Sequence, residues 1–215
     1  MSDIEVVSLP NGQFVENCYL VADRRTHEAV MIDPGEEPAM FLAELDTRGW
    51  SLQGIWLTHA HVDHIIGVGA VRHATNAPVH LHPLDRAMYD ALPQFGSWVG
   101  MDLDPPPAPD VELRIGDVLG VGGLRFEVRS TPGHSPGSVS FVGEGRVFCG
   151  DALFNGSIGR TDLPGGDYAT LMASIQSQLL SLPDSTIVHS GHGAETTIGV
   201  ERLTNPFLTG AYRLG

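Results

Sequence analysis

Thr58-His59-Ala60-His61-Val62-Asp63-His64 packs three imidazoles and a carboxylate into the six residues that begin at His59. Such a set makes a poor core, because every buried polar head needs its own partner. As ligands for a cation the same groups are complementary. The segment follows Gly54-Ile55-Trp56-Leu57, an apolar run that reads as a strand. In a turn leaving a strand, side chains spaced by two can converge from one side. His59 and His61 are therefore expected to grip one ion, while Asp63 and His64 face a neighbouring one.

Three further groups stand at similar places. His134 lies in the proline and glycine loop Thr131-Pro132-Gly133-His134-Ser135-Pro136-Gly137. Asp151 ends the apolar run Phe148-Cys149-Gly150, and His192 follows Ile187-Val188-His189-Ser190-Gly191. A loop histidine on its own is usually a solvated side chain. Here each candidate comes just after a strand-like run, which is how residues distant in sequence meet at one edge of a sheet.

The elements that must position these groups come as strands followed by helices, twice. The first half reads as strands at Ile4 to Leu9, Phe14 to Ala22 and Glu28 to Ile32, then a helix from Pro38 closed by Gly49. Two strand-to-helix steps follow: Gly54 to Leu57 into a helix from His64 to Arg72, and Val79 to Leu81 into a helix from Leu84 to Ala91. The second half reads as strands at Leu113 to Leu119, Leu124 to Arg129, Ser138 to Val142 and Arg146 to Cys149. After it come a helix at Tyr168 to Leu180, a strand at Thr186 to His189 and a helical stretch from Glu195 to Thr204. This order predicts an α/β (α+β) chain, 1–215 as one domain, with two packed sheets and helices outside them, a four-layer αβ/βα sandwich. Residues 92–110, which hold five of the 15 prolines, read as a long loop. With Phe95, Trp98 and Met101 it either walls a substrate pocket or packs as an apolar flap.

The order HxHxDH, then His, Asp and His, resembles the metallo-β-lactamase-fold hydrolases over nearly the whole chain. The resemblance implies the αβ/βα sandwich and two divalent ions, zinc first with iron or manganese open. It assigns His59, His61 and His134 to one metal and Asp63, His64 and His192 to the other, with Asp151 bridging both. Imidazole and carboxylate suit these ions, and a metal pair can bring the pKa of bound water from ~15.7 toward ~7. A bridging hydroxide would then attack a carbonyl carbon, with Asp63 moving a proton.

Asp151 argues against antibiotic hydrolysis, because lactamases of this fold usually have other chemistry at that position. The run Ser157-Ile158-Gly159-Arg160-Thr161-Asp162-Leu163-Pro164-Gly165-Gly166-Asp167 is similar to the short bacterial enzymes of the glyoxalase II, or hydroxyacylglutathione hydrolase, kind. That likeness implies a thioesterase acting on a small-molecule acyl-thiol such as an S-(hydroxyacyl)glutathione, with Arg160 touching the thiol carrier; a surface salt bridge is its plainer role. Two departures leave the carrier open: Asp162 replaces an expected tyrosine, and only residues 193 to 215 follow His192, where longer relatives carry a helical domain. Glutathione, another small thiol or a different acyl compound would each fit. The alternative is a mononuclear iron persulfide dioxygenase of the same fold, using two histidines and the aspartate. A non-catalytic metal-binding protein stands third.

The bulk properties agree. The net charge of -14, from 12 basic and 26 acidic side chains, repels nucleic acid. The N-terminal stretch lacks a signal-peptide pattern and no run reaches membrane-span length, so no membrane partner and a cytoplasmic location are expected. Cys18 and Cys149 read as buried and reduced. Asp33 and Thr58 are candidates to orient ligand imidazoles. His27, His73, His80, His82 and His189 fall outside the ligand pattern, His189 being the one expected nearest the site. Oligomeric state is not legible.

Overall fold

The computed structural model describes residues 3–98 and 100–211. The first sheet holds β1 (Ile4–Asn11), β2 (Glu16–Asp23), β3 (Glu28–Ile32), β4 (Ser51–Trp56), β5 (Val79–Leu81) and β6 (Val111–Glu112), in that spatial order. β1 to β3 form an antiparallel meander, and from β3 to β6 the pairing is parallel. Parallel pairing demands crossovers, and helices supply them. These are α1 (Pro38–Arg48), α2 (Val62–Ile65), α3 (Val68–Thr75), α4 (Arg86–Asp90) and α5 (Leu92–Trp98).

The second sheet begins with the antiparallel run β7 (Val118–Val121), β8 (Leu124–Ser130), β9 (Val139–Gly143) and β10 (Arg146–Gly150). A small hairpin of β11 (Leu153–Phe154) and β12 (Ser157–Ile158) follows, then α6 (Tyr168–Ser174). The chain returns through β13 (Ile187–Ser190), parallel to β10, and ends in β14 (Thr196–Thr197) and α7 (Ile198–Thr204).

Strand β2 shows why two sheets stack. All eight of its residues are buried, and alternate side chains must point to opposite faces. Cys18, Leu20 and Ala22 enter a core shared with Phe41 of α1 and Val71 of α3. Tyr19 and Val21 enter a second core between the sheets, with Trp56, Phe126, Phe141 and Phe148. A third core lies beneath α6 and α7, where Val147 and Val188 meet Leu171 and Ile198. Three cores separate four layers, the αβ/βα sandwich expected from the sequence. Cys18 and Cys149 are free and buried.

Several boundaries differ from the sequence reading. Residues 92–110 do not begin as loop: Pro93 sits in the first turn of α5, where a missing N–H costs nothing. The expected helix from His64 to Arg72 is two helices. The break falls at Gly67, whose N–H donates to Pro34 O and where a Cβ would lie 2.4 Å from Gly35 O. The expected strand from Leu113 to Leu119 is interrupted by a turn at Gly116 (φ 86°), with Asp117 accepting from the Arg114 N–H. Gly12 to Val15 form a turn, so β2 begins at Glu16 and not Phe14. The helix from Tyr168 widens into a π-turn at Ile175–Leu179, and Thr196–Thr197 is strand before α7 starts. Among the described residues, no helix is long and apolar enough to cross a membrane.

Phe141 is fully buried between the sheets against Trp56, ring centroids 5.3 Å apart. Phe141→Ala is expected to lower unfolding free energy by about 3–5 kcal/mol, measured by urea denaturation. A loss under about 1 kcal/mol would mean that this layer does not hold the sheets together.

Candidate metal centre

β4 delivers the HxHxDH segment. Beyond Trp56 the chain runs extended to His61, which caps α2 with φ -69° and ψ 152°, and the short helix then presents Asp63 and His64. His134 lies in the loop between β8 and β9, Asp151 directly after β10, and His192 just after β13. All seven sequence-predicted side chains meet at one edge of the sandwich.

They form two groups. Donor atoms of His59, His61 and His134 lie within 4.8 Å of one another, as do those of Asp63, His64 and His192. Asp151 stands between them. Its Oδ2 is 3.4 Å from His134 Nε2 and 3.5 Å from His192 Nε2, and its Oδ1 is 3.4 Å from His64 Nε2. Ligands about 2.0–2.1 Å from a tetrahedral ion are separated by roughly 3.3 Å, which is this spacing. The donor atoms of a third grouping, Asp33 with His59 and His64, also lie within 4.8 Å of one another. Its carboxylate is already engaged: Asp33 Oδ1 accepts from Thr58 N at 2.7 Å and Oδ2 from Thr58 Oγ1 at 2.6 Å.

The hydrogen bonds say which atoms face a cation. His64 Nδ1 meets Asp33 Oδ2 at 3.1 Å, His134 Nδ1 donates to Arg160 O at 2.7 Å, and His192 Nδ1 donates to Phe14 O at 3.1 Å. His59 Nδ1 contacts Thr58 Oγ1 at 3.0 Å. Each of these rings is anchored through Nδ1, leaving Nε2 as the inward atom. His59 Nε2, His64 Nε2 and Asp151 Oδ1 are buried with no hydrogen-bond partner. His61 Nδ1 and His134 Nε2 stand 2.7 Å apart. Because His134 carries its proton on Nδ1, its Nε2 presents a lone pair toward His61. Orphaned buried acceptors are costly, and cations among them would satisfy every one. The residues fit a metal pair.

The electrostatics point the same way. Burial, reinforced by neighbouring imidazoles, pushes His59 well below the usual range and His61 down to about 3, so both are neutral donors. Burial is the largest influence and acts to raise Asp63 and Asp151, but the surrounding imidazoles together, His64 foremost with His192 and, for Asp151, His134, hold both carboxyls below their ordinary values. His64 is pushed up, because Asp151 and Asp63 outweigh its desolvation. The arrangement favours positive charge at the His64 Nε2 position.

Residues that spacing gave no sign of hold the ligand loops in place. Asp85, fully buried, accepts from Ala60 N at 3.1 Å, Ser135 Oγ at 2.6 Å and Gly137 N at 2.6 Å. It ties the HxHxDH segment to the His134 loop. Asn17 Nδ2 donates to Ser190 O and Gly193 O, and Tyr19 Oη donates to Ser190 O, clamping the His192 loop to β2. Glu16 and Asn11 complete this support, joined at 2.7 Å. The one available signal was Glu16-Asn17, a polar pair heading a wholly buried strand. Gly191 is forced by close packing, since a Cβ there would lie 2.1 Å from Asp151 Oδ1. His189 does not join the site: it stacks on Phe148 in the core and pairs with Arg146. Among the described residues, none of the other histidines joins a ligand group.

A cavity of about 520 Å³ opens beside the centre. Its lining includes Asp63, His134, Asp151 and His192 on one side and Phe14, Met88, Phe95, Trp98 and Phe154 on the other. Residues 92–110 therefore do contribute to a pocket wall, through α5. Arg160 also lines it, with its guanidinium paired to Asp162.

The profile of the metallo-beta-lactamase superfamily matches residues 11–192, a span that contains all seven side chains. The chain belongs to the metallo-beta-lactamase superfamily. Within it, the chain is 35% identical to the hydroxyacylglutathione hydrolase GloC of Haemophilus influenzae, over 96% of this chain and 98% of that protein. It is 39% identical to the Bacillus subtilis protein named probable metallo-hydrolase YqgX, over 94% and 96%. Among solved structures it resembles the BLEG-1 B3 metallo-beta-lactamase at TM-score 0.90 and 42% identity, covering 95% of this chain and all of that one. It resembles TTHA1623 in a di-iron-bound form at TM-score 0.86 and 44% identity, covering 94% and 100%. ETHE1 from Myxococcus xanthus follows at TM-score 0.81 and 32% identity, covering 96% and 85%. This superfamily fold binds metal ions, and its members here include hydrolases.

Asp33 supports the centre without facing it, so its removal separates positioning from ligation. Asp33→Asn is expected to weaken metal affinity about 10–100-fold, measured by competition with a chromophoric chelator. Unchanged affinity would show that Asp33 does not orient His64.

Proposed function

We propose that this superfamily member is a dinuclear metal-dependent hydrolase that cleaves thioesters, with S-(hydroxyacyl)glutathiones as the reference substrate class. The observation that carries the reading is Asp151, whose two oxygens reach toward histidines of both donor groups. The likeness to GloC, a hydroxyacylglutathione hydrolase by name, supports the choice of thioester. His59, His61 and His134 would hold one ion, Asp63, His64 and His192 the other, and Asp151 would bridge them. When bound, such a pair lowers the pKa of coordinated water toward ~7 from ~15.7 and polarises a carbonyl. Zinc is the first expectation, with iron and manganese as the alternatives, and the di-iron form of TTHA1623 supports iron among them.

The chain's own residues supply the rest. Asp63 Oδ2, 3.2 Å from His192 Nε2, is ionised at neutral pH and can accept a proton from the attacking water. It can then release that proton to the departing thiolate. Phe14, Trp98 and Phe154 shelter the cavity and limit water around the acyl group.

Purified, metal-loaded protein is expected to hydrolyse S-lactoylglutathione, with two metal ions per chain, and Asp151→Ala is expected to lose at least about 100-fold in kcat/KM. Thiol release and elemental analysis measure both. Turnover no higher than that of Asp151→Ala removes S-lactoylglutathione from the substrates of this reading. A single iron per chain with oxygen uptake on a persulfide would establish the dioxygenase instead, and faster hydrolysis of a β-lactam would establish a lactamase.

A further inference from the structure

The thioesterase reading leaves the sulfur side of the substrate unspecified, and the far wall of the cavity bears on it. All 12 basic residues of the chain are arginines. Of those described, Arg160 alone lines the cavity. Its backbone carbonyl is occupied in holding His134 Nδ1, which fixes the residue beside the centre. Its side chain is not free either. Nε donates to Asp162 Oδ1 at 2.7 Å and Nη2 to Oδ2 at 2.8 Å, a fork-to-fork pair that uses both carboxylate oxygens. Asp162 sits in the position where the similar glyoxalase II run leads one to expect a tyrosine.

The remaining wall is apolar and aromatic. Phe95 and Trp98 of α5 pack edge to face with centroids 4.9 Å apart, and Trp98 is 74% exposed at the rim. Phe14, Phe154 and Leu163 continue this surface. A large aromatic left open to water beside a cavity is a common mark of a surface that a ligand covers. A thiol carrier of net negative charge, such as glutathione with two carboxylates and one ammonium group, would meet among the described residues of this wall no arginine free of a carboxylate, on a chain whose net charge is already -14. An uncharged carrier would meet four aromatic rings.

We propose that the cavity selects thioesters whose thiol portion is uncharged and apolar, with Asp162 neutralising Arg160 so that anionic carriers such as glutathione are disfavoured. This rests on the thioesterase reading for the reaction, in which water adds across the acyl C–S bond to give a carboxylic acid and the free thiol. It does not rest on that reading for the binding preference. Asp162 is held ionised, its carboxyl lowered to about 2 chiefly by the hydrogen bond from Arg160. The two side chains are 60% and 69% exposed, so solvent screening keeps the effect modest.

The test uses two non-hydrolysable ligands, S-hexylglutathione and S-hexyl-N-acetylcysteamine, titrated calorimetrically into the metal-loaded protein. The uncharged thioether is expected to bind at least about fivefold more tightly, an effect of the size that exposed charges permit. Asp162→Asn is expected to strengthen S-hexylglutathione binding about fivefold while leaving the uncharged ligand unchanged. Adding Arg160→Gln to that variant should abolish the gain. Equal or tighter binding of S-hexylglutathione by the native chain overturns the proposal, as does an Asp162→Asn variant with an unaltered ratio. In parallel, the lactoyl thioesters of the same two thiols separate the claims. If neither is hydrolysed while the binding preference holds, the thioesterase reading fails and the selectivity stands. If glutathione thioester is the better substrate, the selectivity fails and the thioesterase reading stands.

Discussion

Buried lone pairs that point at one another are the constraint around which this molecule is built. His59 Nε2, His64 Nε2 and Asp151 Oδ1 have no hydrogen-bond partner, and His61 Nδ1 faces His134 Nε2 at 2.7 Å. In a dry interior such a cluster is destabilising unless positive charge sits within it. The Nδ1 atoms of His59, His64, His134 and His192 are anchored, by Thr58, Asp33, Arg160 O and Phe14 O in turn, so their Nε2 atoms have no freedom to turn away. A site fixed from behind this firmly is preorganised for cations.

The sandwich exists in a form that lets four distant segments supply that cluster. β4, β10 and β13 each end at the same edge, and the β8–β9 turn adds the fourth. Joining two sheets there leaves polar backbone and side chains to be reconciled at the seam. Asp85 does so on one side, linking Ala60 to Ser135 and Gly137, and Asn17 and Tyr19 do so on the other through Ser190. These cross-links couple the stability of the seam to the geometry of the donors, so damage to either is felt by both.

Much of this was legible in the chain. HxHxDH, and the places of His134, Asp151 and His192 after strand-like runs, reflect local chemistry that composition and period reveal directly. The four layers were legible because strands and helices alternate with clear apolar faces. What escaped was set by contacts between segments. The split at Gly67 comes from the approach of Pro34 and Gly35, 33 and 32 residues away in sequence, and no local pattern encodes it. Asp85 looked like an ordinary polar position in a helical run because its three partners lie in other elements. Residues 92–110 misled through their prolines: those at 105 to 109 do lie in a stretch without regular structure, whereas Pro93 sits in the first turn of a helix. Arg160 had two readings from sequence, carrier contact or surface ion pair, and the structure places its side chain in the ion pair with Asp162 at the cavity mouth.

The central claim is that two cations share Asp151. Anomalous X-ray scattering at the metal absorption edge, from crystals of the protein as purified, tests it directly. The account predicts two peaks, one among His59, His61 and His134 and one among Asp63, His64 and His192, each within coordinating distance of Asp151. A single peak, or a peak enclosed by Asp33, His59 and His64, would contradict it.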